Sequence, residues 1–324
     1  MRFGIISTAG IGRAAVIPAI QESEHEVAAI ASRDAGRAES VATEFDIPTA
    51  YGSYEALLAD DSLDAVYNPM PNSLHAEWTK RAADAGLDIL CEKPLAVDAD
   101  EARSMVSYCD DRDVTLMEAF MYRYHPRTER AHTIATEVLG EIRAVEATFQ
   151  FPVDDPNDIR LDPDLAGGSL MDVGCYAINA ARLFLGEPER VYATMSDTRN
   201  CGVETQHSGL LEYEDGVVAR VSSSLDTPDI QRYRIETTDG WLEVEDAFVP
   251  RDDGETTLRY AVDGRDVTES FPPTDQYRLE VEHFADCVTQ DRSPRTDGPD
   301  AVRTLAVIDA LKTSADRGIP IDLG

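Results

Sequence analysis

Over its first 120 residues the chain alternates short apolar β-patterned runs with helical patterns, and few architectures accept that order. Phe3–Ser7, Glu26–Ser32, Ala65–Asn68, Asp88–Cys91 and Thr115–Ala119 read as strands. Between them lie a helical pattern reaching Gln21, then Ala35–Phe45, Leu74–Ala85 and a run from Asp98 to about Asp111. Pro18 should kink or shorten the first of these, and Asp98-Ala99-Asp100-Glu101 has the arrangement of a capping box. Alternation of this kind predicts a parallel, doubly wound sheet. In such a sheet, ligands bind outside the carboxyl ends of the strands.

The first of those ends is the small-residue turn Ser7-Thr8-Ala9-Gly10-Ile11-Gly12. It aligns with the dinucleotide fingerprint of a Rossmann domain as Ser7-x-Ala9-x-x-Gly12, with Gly10 inserted between. Small residues let the backbone approach a pyrophosphate, and the helix start that follows attracts the anion. At the second strand end the run is Ala31-Ser32-Arg33-Asp34. A site for NAD carries Asp or Glu there for the ribose hydroxyls, whereas Ser32 and Arg33 suit a 2′-phosphate and so favour NADP over NAD.

The fourth strand leads into Glu92-Lys93-Pro94, where proline ends the strand and places Lys93 at its edge. Lysine is scarce here: it occurs only at 80, 93 and 312, so 26 of the 29 cations are arginine. Lysine is the cation that takes part in proton chemistry. The wider charge is lopsided, with a net −33 that excludes nucleic acid and anionic membranes as partners. Acidic pairs are spread along the chain (Asp60-Asp61, Asp110-Asp111, Asp154-Asp155, Asp252-Asp253) rather than gathered in a tail. That pattern resembles proteins of salt-in halophiles, where molar salt shrinks the Debye length to about 3 Å and screens self-repulsion. No apolar run approaches the roughly 20 residues of a membrane span. The opening strand leaves no room for a signal peptide, and five cysteines without a Cys-x-x-Cys pair fit a reduced cytoplasm. The histidines lack ligand spacing, so no metal is expected.

Beyond residue 120 the pattern changes, which sets the expected domains at 1–120 and 121–324. A helix over Pro126–Val138 and a strand over Ile142–Phe151 precede a proline-rich acidic loop. Gly167-Gly168 then opens a helix over Ser169–Leu185. Asp215-Gly216, Asp239-Gly240 and Asp263-Gly264 punctuate β-patterned runs as hairpin signals. Helices at about Gln276–Thr289 and Asp300–Asp316 close the chain. The expected class is α/β: an N-terminal Rossmann parallel sheet, then an α+β domain with a mostly antiparallel sheet.

Five motifs occur in one order: the fingerprint, Asn72-x-x-His75, Glu92-Lys93-Pro94, the run Met117–Pro126, and Gly167-Gly168-x-Leu170-x-Asp172-x-Gly174-x-Tyr176. Together they make the whole chain similar to the glucose–fructose oxidoreductase / inositol dehydrogenase / rhizopine catabolism family. Within it the chain most resembles the branch of NADP-dependent D-xylose 1-dehydrogenases and dimeric dihydrodiol dehydrogenases. The inositol dehydrogenase branch has histidine where this chain has Tyr176. The resemblance implies hydride transfer from the anomeric carbon of an aldose, such as D-xylose, to NADP, giving the lactone; a trans-dihydrodiol or an inositol is the alternative substrate. It also implies Lys93, Asp172 and Tyr176 as catalytic and substrate-binding residues. Asn72, His75, Glu92 and Lys93 are cofactor contacts on the same grounds, and Arg160 a substrate contact. A lysine ammonium 4 Å from a phenol stabilises the phenolate by about 4 kcal/mol at an effective dielectric near 20, which would let Tyr176 act as the base. A homodimer or homotetramer through the C-terminal sheet is the expected assembly.

A noncatalytic dinucleotide-binding sensor or assembly subunit is the competing class. The Lys93, Asp172 and Tyr176 set separates the two, since a sensor has no need of it. The acidic surface makes a direct prediction: folding and activity are lost on dilution well below about 1 M salt. A melting temperature that stays level from dilute buffer to molar potassium chloride would refute it.

Overall fold

The computed structural model describes residues 1–250 and 254–323, so the acidic pair Asp252-Asp253 lies outside it. The chain forms two compact units, Met1–Met121 with Asp275–Val302, and Tyr122–Thr274 with Arg303–Gly324.

The first unit holds six parallel strands: β1 (Arg2–Ile6), β2 (Glu26–Ala31), β3 (Thr49–Tyr51), β4 (Ala65–Asn68), β5 (Asp88–Glu92) and β6 (Leu116–Ala119). Their order is β3-β2-β1-β4-β5-β6, with the reversal falling between β1 and β4. Residues on both faces of the central strands are buried, among them Phe3, Ile5, Ile6, Val66, Tyr67, Ile89 and Leu90, as expected where helices cover a sheet on both sides. The connecting helices are α1 (Ile17–Gln21), α2 (Ala35–Glu44), α3 (Tyr54–Leu58), α4 (His75–Asp84) and α5 (Ala99–Asp110). Short acceptors start several of them: Asp34 accepts from Arg37 N, Ser53 from Ala56 N and Asp98 from Glu101 N. Pro18 sits in the first turn of α1, which follows a π-helical turn at Gly12–Val16. Neither β3 nor α3 is anticipated by periodicity, because three and five residues are too few to display a period.

An expected second domain running unbroken from 121 to 324 needs correction. The helix α8 (Gln276–Gln290) and the segment to Val302 belong to the first unit. Phe284 packs its ring 6.0 Å from that of Phe3. Glu118 N donates to Thr296 O at 3.0 Å, and Thr296 Oγ1 donates back to Glu118 O at 2.6 Å. The returning chain therefore satisfies backbone groups along β6 that would otherwise lack partners.

The second unit is built on a nine-stranded sheet, preceded by α6 (Pro126–Glu137). Its strands are β7 (Ile142–Gln150), β8 (Arg190–Ser196), β9 (Gln206–Glu212), β10 (Val218–Ser224), β11 (Ile230–Thr237), β12 (Gly240–Glu245), β13 (Thr256–Val262), β14 (Arg265–Phe271) and β15 (Ile321–Asp322). The order is β14-β13-β12-β11-β7-β10-β9-β8-β15, antiparallel throughout except where β7 runs parallel to β10. All three Asp-Gly pairs lie at hairpins. At Asp215-Gly216 and Asp263-Gly264 both residues have positive φ; the second pair forms a two-residue turn between Val262 and Arg265, whereas the first lies in a longer loop that includes a 3₁₀ turn at Glu214–Gly216. Gly240 acts differently: a Cβ there would collide with Ala261 O on the adjacent strand. One sheet face is covered by α7 (Cys175–Leu185) and the later part of α9 (Gly298–Arg317), which gives the alternating burial of β8 and β9.

Three histidines are almost fully buried: His75 at 0%, His125 at 2% and His207 at 2% exposed. Burial pushes each down from 6.5 to about 4. Each stays neutral in the folded chain down to about pH 4 but takes up a proton in the unfolded chain below about 6.5. The unfolded state then binds more protons, so stability is full above pH 6.5 and declines toward pH 4, by on the order of 3 kcal/mol per histidine. Neither ring nitrogen of His207 has a hydrogen-bond partner among the described residues, so this site carries the effect most cleanly. His207→Leu should therefore lose less melting temperature than the parent between pH 7 and pH 4.5. Equal slopes in the two proteins would show that His207 contributes nothing.

Candidate active site

At the end of β1 the backbone makes a forced turn. Ser7 has φ +92°, a conformation that glycine adopts freely and serine does not, so the serine stands in the place of the first fingerprint glycine. Its Oγ accepts from Ala9 N at 3.3 Å. Thr8 is buried, Ala9 half-buried, and Gly10 and Ile11 face outward. A Cβ on Gly10 would meet nothing within 4 Å, which leaves open space above the turn. Gly12 packs against the Tyr67 ring, with its Cβ position 3.6 Å away, and starts the π-helical turn. π turns of this kind recur at functional sites. Open space over small residues at a helix start fits a dinucleotide pyrophosphate.

The end of β2 shows what Asp34 does. Its carboxylate caps α2 by accepting from Arg37 N at 3.2 Å, and its own N donates to Ser32 Oγ, also at 3.2 Å. Arg33 is exposed, and its guanidinium makes no ion pair among the described residues. The same holds for Arg37, one helical turn further on, which sequence reasoning missed. The legible signal was its four-residue spacing from Arg33 across a capped helix start. Two free guanidiniums beside a buried serine hydroxyl fit the extra phosphate of NADP.

β5 delivers the Glu92-Lys93-Pro94 segment, whose Lys93–Pro94 peptide is cis. Glu92 Oε1 accepts from Tyr67 Oη at 2.7 Å, and Oε2 accepts from Lys93 N at 3.3 Å. Just beyond, Leu95 N donates to Glu118 Oε1 at 2.8 Å. His75, the first residue of α4, is wholly buried between the Pro94 and Met70 carbonyls, with Nδ1 3.0 Å and Nε2 2.7 Å from them. That enclosure corrects its expected role: it braces the loop after Lys93 and presents no surface to a cofactor. Asn72 lies half-buried in the 3₁₀ turn ahead of α4. Glu280 of α8 had no signal in the sequence, yet it is 1% exposed and belongs to the same region. Burial, then the charges of Glu92, Asp275 and Glu118, raise its carboxyl well above the usual range.

In the second unit, Arg160 comes from a 3₁₀ turn at Ile159–Leu161. Its Nε donates to Asp172 Oδ2 at 2.8 Å, and Nη1 to Asp158 Oδ1 at 3.2 Å. The neighbouring Asp172 charge raises the guanidinium, and the group lies 5.5 Å over the Phe151 ring. Asp172 is in a second π turn, Leu170–Gly174, and Tyr176 opens α7 behind it. The Tyr176 ring is packed among Phe149 (5.3 Å), Phe248 (5.4 Å) and Tyr122 (5.9 Å). Both glycines ahead of this helix are required sterically. A Cβ on Gly167 would lie 2.5 Å from Arg160 O, and one on Gly168, at φ +107°, 2.5 Å from the Glu204 carboxylate. The structure thus joins Arg160 to Asp172 in one unit and Lys93 to Glu92 in the other. Among the described residues no cluster of His, Cys, Asp or Glu is placed to hold a metal ion, and no helix is long and apolar enough to cross a membrane.

Two family models match the chain. Residues 1–120 match the oxidoreductase family, NAD-binding Rossmann fold, and residues 129–243 match the GFO/IDH/MocA C-terminal domain. The chain is 59% identical over 324 residues, 100% of both chains, to D-xylose 1-dehydrogenase (NADP(+)) 2 of Haloferax volcanii. It is 30% identical to D-xylose 1-dehydrogenase [NADP(+)] of Haloarcula marismortui, covering 98% of this chain and 91% of that one. The crystal structure of KijD10, a 3-ketoreductase from Actinomadura kijaniata in complex with NADP and TDP-benzene, superposes with a TM-score of 0.91 at 33% identity, covering 97% of each chain.

Proposed function

The chain belongs to the GFO/IDH/MocA oxidoreductase family, and from that premise we propose that it is an NADP-dependent aldose 1-dehydrogenase acting on D-xylose or a similar pentose. The observation that carries the reading is identity over its full length to a xylose dehydrogenase. Bound NADP supplies the hydride acceptor. Tyr176 takes the proton of the C1 hydroxyl as the C1 hydrogen departs with its electron pair, leaving a C1 carbonyl and therefore the lactone. The Lys93 ammonium stabilises the phenolate form of that tyrosine and binds a sugar hydroxyl. Asp172, held by Arg160 at 2.8 Å, accepts a second substrate hydroxyl. Ser32 and Arg33, with Arg37 beside them, take the 2′-phosphate.

The test is NADP reduction at molar salt across pentoses, hexoses, inositols and trans-dihydrodiols. D-xylose or another pentose should be oxidised fastest, with NADP preferred to NAD and the preference lost in Arg33→Asp. Tyr176→Phe should slow turnover by about 10²–10⁴-fold while NADP still binds, the range for removal of a general acid or base. Near-parental turnover in that variant would make Tyr176 a packing residue and move the base to Lys93.

The working form is a cytoplasmic homodimer or homotetramer joined through the outer face of the nine-stranded sheet. That face exposes Tyr192 (37%) and Leu210 (41%) around a shallow depression of about 410 Å³. Its one lining acid, Glu146, is paired with Arg220 at 3.4 Å and Arg232 at 3.2 Å, so the patch is close to neutral on a strongly acidic chain. A second copy covers such a face without the repulsion met elsewhere. Light scattering at high salt should give a multiple of 35.6 kDa, and Leu210→Asp should shift it toward the single chain. A parent protein of single-chain mass would end this reading.

A further inference from the structure

Behind the turn that carries Asp172 lies a polar group with no part in the chemistry above. Glu204 stands just ahead of β9, its carboxylate tucked against the start of the Asp172 helix. Its backbone O accepts from Ser169 N at 2.9 Å and its Oε1 from Leu170 N at 2.8 Å. One residue back, Gly168 N donates to Arg160 O at 2.8 Å, and Gly168 O accepts from Asp172 N at 3.0 Å. Gly168 thus ties the Arg160 loop to Asp172, and the Glu204 carboxylate fills the space where any side chain on Gly168 would go. Further along the same turn, Lys312 Nζ lies 3.3 Å from Met171 Sδ. Burial raises the Glu204 carboxyl, opposed by the Leu170 N–H and by the charge of Lys312. One of only three lysines in the chain therefore acts on this carboxylate.

We propose that Glu204 is a positioning residue for the acid/base site: by holding Ser169 and Leu170 and closing over Gly168, it sets where Asp172 and Tyr176 point and where Arg160 meets Asp172. The proposal rests on the reading of Asp172 and Tyr176 as the groups that meet the sugar. A carboxylate is suited to this place because it accepts from a backbone N–H at the start of a helix, where four donors lack partners inside the helix. Displacing a substrate-orienting group by about 1 Å slows a reaction by about 10²-fold even when the mutation is remote from the chemistry.

The experiment compares full-length Glu204→Ala, Glu204→Asp and Glu204→Gln at molar salt, measuring NADP affinity by titration, thermal midpoint, and kcat and KM for D-xylose. Glutamine keeps an acceptor oxygen at the same reach, whereas aspartate keeps the charge but falls one methylene short of Leu170 N. Glu204→Ala and Glu204→Asp should lose about 10²-fold in kcat with NADP affinity unchanged, and Glu204→Gln should restore near-parental turnover. If Glu204→Ala does not fold, Glu204→Asp decides the matter. Parental turnover in Glu204→Asp overturns the proposal, as does a Glu204→Gln as slow as Glu204→Asp. A fall in kcat that merely follows lost NADP affinity and thermal midpoint overturns it too. Tyr176→Phe, assayed in parallel, tells the two failures apart. Parental turnover there removes the acid/base reading and the proposal with it. A slow Tyr176→Phe beside a fast Glu204→Asp removes the proposal alone.

Discussion

A parallel sheet buried on both faces can offer side chains to a ligand only at its ends, and the first unit depends on that restriction. Strands β1, β4 and β5 are apolar for almost their whole length because helices cover them above and below. At the carboxyl ends of the strands polar residues gather: Ser7 and Thr8, Ser32 and Arg33, Asn68, then Glu92 and Lys93. Loops at these ends must turn sharply, and the local backbone registers the demand. Ser7 is held at positive φ, and a π turn follows within a few residues. Strain and chemistry coincide because the core leaves them one place to occur.

What was legible in the sequence was whatever has a period or a local rule. Strands β1, β2, β4, β5 and β6 carry short, mostly apolar runs, and two of the three Asp-Gly pairs sit at positions of φ > 0, so both could be read directly. The Asp172–Tyr176 spacing and the paired glycines were visible as a motif, but not why both glycines are needed. That reason lies in the Arg160 carbonyl and the Glu204 carboxylate, 7 and 36 positions away, and no local rule reaches so far. Glu280 escaped for a similar reason: an acid on an amphipathic helix reads as solvent-facing until the surface it covers is known. His75 shows a different limit. Residue type and motif mark it as chemical, yet the carbonyls of Met70 and Pro94 enclose it and make it a brace.

The acidic excess has two populations. Many carboxylates do local structural work: Asp34, Asp98, Asp158 and Asp275 each accept backbone N–H groups at the start of a helix or turn. At these sites the aligned peptide dipoles favour negative charge, so part of the excess is stabilised by the fold itself. Most of the remainder faces solvent, where salt decides its effect. Arginine answers it in exposed pairs of small individual value, such as Arg13–Glu44 and Arg81–Glu77. Arg33 and Arg37, without an ion pair among the described residues, lie beside the second strand end, and a lysine sits at the end of β5.

The return of residues 275–302 to the first unit has a consequence for how the molecule is made. During synthesis, a chain emerging as far as Met121 already contains all six strands of the parallel sheet. It lacks the helix that carries Phe284 onto Phe3 and the Thr296 backbone that completes β6. That sheet must wait, one flank open to water, until about 180 further residues have been added. The intervening segment can close its own hairpins in the meantime, since their partners are near neighbours in the chain. The nucleotide-binding half is thus begun first and finished late, and the segment inserted into it can pair its strands while it waits, its own last helical turns and strand arriving later still.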